Sequence, residues 1–246
     1  MPLSQEIRQK TMTRASEKSH VGYGNVDLAW LSLVSGCVDV LSFVKLGDLF
    51  ASAMTGNAAL LALATSRGDW LAASRSLSAL LAFALGVALA TVISTSWHQG
   101  ARGGLRRLLV LELIFLGGCS VLWSASLHPV QSGALYAVIV LLALSMGIQA
   151  VVARSINLRG INTVVFTTAL IRIVISATNA LRYGNALASL TNIRPDLGTL
   201  AAYGCGVTVA GVLVSNHIGT LIWLPPAGVL LALGFSVAVS KQERST

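Results

Sequence analysis

Eight apolar runs decide what this chain can fold into. They fall at about 28–44, 49–66, 71–95, 107–126, 133–153, 161–180, 197–217 and 220–240. Most reach the roughly 20 residues that a helix needs to span a bilayer. The runs are continuous, not alternating, which argues against a transmembrane β-barrel. Only 11% of the 246 residues are charged, whereas soluble domains average about 25%, too few here to cover a soluble surface. The expected fold is an all-α polytopic membrane helix bundle. Residues 1–27, with Arg8, Lys10, Arg14 and Lys18, read as a flexible cytoplasmic arm, 28–240 as a single membrane domain and 241–246 as a cytoplasmic tail.

Two runs are irregular. Segment 49–66 is short and interrupted by Thr55-Gly56-Asn57, and segment 161–180 carries Thr163, Thr167, Thr168 and Arg172. Interrupted segments at corresponding places in two halves point to a transporter binding site. Gly36 precedes Thr55 by nineteen residues and Gly147 precedes Thr167 by twenty, so weak repeats at 28–126 and 133–240 are expected. Basic residues favour the inside of a membrane. With eight crossings, ten Lys/Arg fall inside and six outside. If 49–66 and 161–180 enter and leave on one side, thirteen fall inside and three outside. The expectation is therefore six crossings plus two broken or re-entrant segments, with eight crossings as the alternative. Three crossings per half make the halves inverted, with both termini cytoplasmic.

The net charge of +8 sits in the gaps between runs, as a topology signal and not a nucleic-acid surface. Cys37, Cys119 and Cys205 show no metal or disulfide spacing. No Walker loop, GxSxG or HExxH occurs, and His20, His98, His128 and His217 lie in the arm or at helix ends. The reading is no enzyme, no cofactor and no metal.

Intramembrane polar residues carry the remaining signal. Ser32, Ser35, Gly36, Asp39 and Ser42 share one helical arc. A mid-helix carboxylate costs about 3 kcal/mol on insertion scales, so Asp39 needs a base, a cavity or a proton, and Arg172 is the complementary charge. Glu112, near Arg106 and Arg107, reads as an interfacial carboxylate. Gln149 is a buried amide suited to a helix–helix hydrogen bond. The series Gly211, Ser215, Gly219 and Ala82, Gly86, Ala90 read as packing stripes. Asp39 and Asn57 are expected to line one polar cavity that Thr55 and Gly56 shape. The candidate substrate or ion cavity is Asp39, Thr55, Gly56, Asn57, Gln149, Thr167 and Arg172.

The stretches Gly36-Cys37-Val38-Asp39-Val40-Leu41-Ser42-Phe43, Leu46-Gly47-Asp48-Leu49-Phe50 and Met54-Thr55-Gly56-Asn57 resemble the N-terminal signature of the YoaK-like family of bacterial multi-pass inner-membrane proteins. A second family block, G-x-Q-N then T-T-x-x-T-G, is matched by Gly147-Ile148-Gln149-Ala150 with Thr163, Thr167 and Thr168. Here the chain departs from the pattern: Ala150 stands for Asn, Val164 for the second Thr and Thr168 for Gly. The resemblance covers about 28–240. It implies an integral inner-membrane protein, transporter-like, with no assigned substrate. The function expected is a small-molecule secondary transporter or permease; the alternative is a non-transporting scaffold or accessory subunit. Its partners are the lipid bilayer and a small solute, not nucleic acid, and a homo-oligomer stays open.

Overall fold

The structure is a computed structural model that describes residues 28–95, 101–126, 132–156, 164–183, 186–216 and 219–242. The arm at 1–27, Thr163 and the last four residues lie outside them. Among the described residues the chain forms α1 (Leu28–Leu46), α2 (Met54–Ser66), α3 (Trp70–Thr95), α4 (Ala101–Ala125), α5 (Ser132–Ile156), α6 (Val164–Tyr183), α7 (Ala186–Ser215), a 3-10 turn (Gly219–Trp223) and α8 (Leu224–Gln242). α1, α3, α4, α5 and α7 are long and apolar enough to cross a membrane, and the apolar stretch Leu221–Gly234, which runs from the 3-10 turn into α8, is shorter. This is a polytopic helical bundle. Leu77, Leu81, Leu85 and Leu89 form an exposed stripe at four-residue spacing on α3, the face of a helix whose solvent is lipid.

Helix ends are written locally. Leu46-Gly47-Asp48 and Arg67-Gly68-Asp69 close α1 and α2 alike. Gly47 and Gly68 take positive φ of 94° and 70°. The N–H of Asp48 bonds the carbonyl of Phe43 at 3.1 Å, and that of Asp69 bonds Ala64 at 2.9 Å. Both are Schellman closures, which need a residue without a Cβ penalty at the left-handed position. Asp69 then caps α3, its Oδ1 accepting from the Ala72 N–H at 3.0 Å.

The directions of the helices follow from their contacts. Gly47 at the end of α1 packs against the Arg75 side chain near the start of α3. So α1 ends where α3 begins, and α2, about 20 Å long, leaves and returns at that same end. Ser74 near the start of α3 shares a hydrogen bond with Tyr136 near the start of α5, so α3 and α5 run parallel. Ala29, Trp30 and Leu33 of α1 lie beside Arg194, Pro195, Gly198 and Ala202 of α7, so α1 and α7 are parallel as well. The six bonds from Thr95 to Ala101 or from Ser126 to Ser132 span at most about 20 Å, shorter than α4, which makes α4 antiparallel to its neighbours. Ser120 of α4 donates to the Ile222 carbonyl at 2.7 Å, placing the start of α8 at the far end of α4. α5 therefore finishes at the end where α7 starts, and α6, two residues from α7, returns there too.

The expectation of two segments that do not run end to end thus holds at α2 and α6. The interruption itself needs correction. Thr55-Gly56-Asn57 is the first turn of α2, and the non-helical stretch is 47–53; the Schellman closure after Leu46 breaks the helix, and Gly56 does not. The basic side chains Arg106, Arg107, Arg154, Arg182 and Arg194 collect toward one end of the bundle, with Arg67 and Arg75 toward the other. Thiols introduced at the exposed positions 45 and 67 on a background free of Cys37, Cys119 and Cys205 should react with an impermeant reagent from the same side. Labelling from opposite sides contradicts this arrangement.

The bundle closes through glycine. Gly36 meets the backbone of Tyr203 on α7, and Gly206 meets the backbone of Leu33 on α1. In the other pair, Gly86 meets Leu144 on α5 and Gly147 meets Phe83 on α3. Each crossing puts a glycine against the carbonyl three residues before the partner's glycine, the close approach that small residues permit in membranes. Gly86 with buried Ala82 and Ala90 is a packing stripe as expected. Gly211 is not: a Cβ there would meet nothing within 4 Å. About half of each of the α1 and α5 spans is buried, against 17% of α7, so α1 and α5 form the centre.

Candidate functional site

Asp39 lies 2% exposed on α1, about 10 Å along the axis from the end of that helix. The loop after α1 folds back to reach it. The Ser52 N–H donates to Oδ1 at 2.8 Å and the Ser52 hydroxyl to Oδ2 at 2.7 Å. Tyr203 on α7 donates its hydroxyl to Oδ2 at 3.0 Å. Three donors compensate a carboxylate taken out of water. One turn on, Ser42 Oγ accepts from the Ala51 N–H at 3.0 Å. The re-entrant loop is therefore hung on α1 by Asp39 and Ser42.

Asn57 fastens the other side of the same loop. Its Oδ1 accepts from the Phe50 N–H at 2.8 Å, and its Nδ2 donates to the Phe50 carbonyl. A side-chain amide offers a donor and an acceptor at peptide spacing, so Asn57 does for Phe50 what a neighbouring strand would do. Gly56 leaves room for the Phe50 ring, which stacks on Phe43 with centroids 5.1 Å apart. Asp39, Gly56 and Asn57 thus come together around one loop. Thr55 is exposed and takes no part.

A second buried chain of polar groups joins three helices. Ser35 Oγ on α1 donates to Gln149 Oε1 on α5 at 2.7 Å. Gln149 Nε2 donates to Glu112 Oε1 on α4 at 2.8 Å. Glu112 is fully buried, and its Oε2 has no hydrogen-bond partner among the described residues. Glu112 is therefore no interfacial carboxylate. At about 100° per residue it sits some 120–140° around the helix from Arg106 and Arg107, so it faces inward while they face out. That angle was readable in the sequence.

Arg172 does not answer Asp39. It bonds Asp196 at 2.6 Å within the α6–α7 hairpin, the two side chains 34% and 15% exposed. Asp196 escapes notice in the sequence because it lies just before the run that begins at 197, although α7 starts eleven residues earlier. Thr167 lies on the first turn of α6, a helix that packs on α7. Of the seven expected residues, Asp39, Gly56 and Asn57 share a site, Gln149 anchors the second chain, and Arg172 belongs elsewhere. Ser52 and Tyr203 were missed in the sequence, while Ser35, noted there on the Asp39 arc, and Glu112, read there as interfacial, join the second chain. Near the basic end, α1 and α7 part to leave a cleft of ≈ 380 Å³ lined by Ala29, Trp30, Leu33, Arg194, Pro195, Gly198 and Ala202. The Leu33–Gly206 contact closes its floor.

Residues 28–235 match the family model described as a protein of unknown function, DUF1275. The chain is 30% identical over 213 residues to the UPF0700 transmembrane protein YoaK of Bacillus subtilis (strain 168), covering 82% of this chain and 89% of that protein. No solved structure matches. The segment matched by the family runs from the first residue of α1 into α8 and contains both buried polar clusters, and the chain belongs to the DUF1275 family of YoaK-like multi-pass membrane proteins.

Proposed function

We propose that this protein is a secondary transporter of a small solute in the bacterial cytoplasmic membrane, with both termini cytoplasmic. The observation that carries the reading is the crossing made twice. α1 meets α7 through Gly36 and Gly206, and α5 meets α3 through Gly147 and Gly86. The first and third helices of each half thereby exchange partners, and the two parallel pairs run in opposite directions. That is the pairing of two inverted repeats, in which a central site is exposed alternately by rocking one half against the other. The helices at the centre carry Asp39, Ser35 and Gln149, and ionisable groups inside a membrane mark solute or ion paths. The collection of arginines toward one end supports cytoplasmic termini.

Reconstitution of the full chain into liposomes tests this reading, with a metabolite panel chosen by comparing cells that have and lack the gene. Accumulation of a panel solute is the expected result. A folded protein inert to the whole panel overturns it and favours a membrane scaffold. The scaffold reading has its own support: every polar atom of Asp39 and Asn57 is taken up in holding the loop.

A further inference from the structure

We propose that Glu112 is a proton-binding site and that the Gln149 amide is the switch reporting its state to α1. This rests on the transport reading and names its coupling group. The two buried carboxylates are housed differently. Asp39 meets three donors, the surroundings of an anion. Glu112 meets one neutral amide, and its second oxygen faces no donor among the described residues. A cation would need several oxygen ligands, and the group turned toward Glu112 is an N–H. A proton needs only the carboxylate.

The chain of bonds has two self-consistent directions. With Glu112 charged, Ser35 donates to the Gln149 carbonyl and the Gln149 NH₂ donates to Oε1, as observed. A proton on Oε2 would leave a buried O–H without an acceptor among the described residues, so the proton is held on Oε1 and the amide turns over: its carbonyl accepts from Glu112 and its NH₂ donates to Ser35 Oγ. Binding one proton takes the charge of Glu112 from −1 to 0 and reverses every bond in the chain. Ser35 adjoins Gly36 at the α1–α7 crossing and lies one turn from Asp39, so the proton state of α4 is delivered where the two halves meet.

Few other ionisable groups bear on Glu112. α4 carries Arg106 and Arg107, both exposed, and buried Cys119 two turns on. α5 carries exposed Arg154 and, at the opposite end, Tyr136, where α3 carries Arg75, and α1 carries buried Cys37 and exposed Lys45. The 3-10 turn and residues 224–234 of α8 carry none. Asp39 is reached only through Ser35 on α1.

Infrared difference spectra of the full chain between acid and alkaline pH read this directly. In a chain whose Glu6, Glu17 and Glu243 are glutamine, Glu112 is the only glutamate, and ¹³C-glutamate labels it alone. A carboxylic-acid C=O band that carries the isotope shift and disappears at alkaline pH is expected. It should be absent in Glu112→Gln, and in Gln149→Leu it should move to the frequency of an acid without a hydrogen-bond partner. Absence of a labelled band that titrates overturns the proton site. An identical band frequency in Gln149→Leu overturns the switch. Neither readout needs a solute, so liposome uptake without titration refutes the switch alone, and titration without uptake refutes the transport reading alone.

Discussion

Asp39→Leu should cost the folded protein about 3–6 kcal/mol, because three half-buried donors lose their buried acceptor at about 1–3 kcal/mol each and two of them are hydroxyls that partly recover by rotation. The loss falls on one place. Ser52 is released from α1, the 47–53 loop loses its main tether, and Tyr203 of α7 loses its bond to α1. Asp39→Asn should cost less, about 1–2 kcal/mol, since one carbonyl oxygen remains and a hydroxyl of Ser52 or Tyr203 can turn to accept from the new amide. Tyr203→Phe removes a single donor and should cost about 1 kcal/mol. Arg172 separates this account from an Asp39–Arg172 pair. It is bonded to Asp196, so a double variant of Asp39→Asn with Arg172→Gln should show additive losses to within about 0.5 kcal/mol. Thermal unfolding in detergent of the five variants, Arg172→Gln alone included, measures these losses. Recovery of stability in the double variant would show that the two charges meet after all.

The helices were legible in the sequence because lipid leaves few alternatives: each apolar run must satisfy its own backbone, and each expected run falls on an observed helix, although α2 starts five residues later than expected, α4 six earlier and α7 eleven earlier. The two segments that turn back were legible through charge, since counting Lys and Arg per side needs no contacts. Local chemistry in the site was partly legible. Asp39 and Asn57 stand out as polar residues in apolar surroundings, and both prove buried. Their roles were not legible, because each is defined by a backbone group elsewhere: Ser52 for Asp39, Phe50 for Asn57. The twin Gly-Asp pairs at 47–48 and 68–69 do mark the ends of α1 and α2 in the sequence, and they place the interruption before Met54 rather than at Gly56. Pairings across helices were the least legible. The sequence offered Asp39 as the partner of Arg172, and only the hairpin of α6 on α7 decides for Asp196. Gln149 gave no sign that it would lie between Ser35 and Glu112, 114 and 37 residues away in sequence.

Gly36→Ala and Gly206→Ala should each lower stability by about 1–3 kcal/mol, the range for overpacking a close-packed interior, and valine should do worse. The added Cβ meets the backbone of Tyr203 or Leu33. A carbonyl held in its helix cannot swing aside as a side-chain tip can, so the helices must separate. Separation lengthens the Tyr203–Asp39 bond on the same two helices, and the 47–53 loop loosens with it. Gly86→Ala and Gly147→Ala press on Leu144 and Phe83 in the same way and should separate α3 from α5 by a similar amount. Gly211→Ala is the control. It meets nothing within 4 Å, and alanine's better helix propensity should leave the protein unchanged or more stable by up to about 1 kcal/mol. Unfolding midpoints of the five variants in detergent decide the matter. Similar losses at all four crossing glycines fit two halves that use one joint twice. A large loss at Gly36 and Gly206 with none at Gly86 and Gly147 would leave α1–α7 as a single fixed contact and remove the ground for reading the halves as inverted repeats.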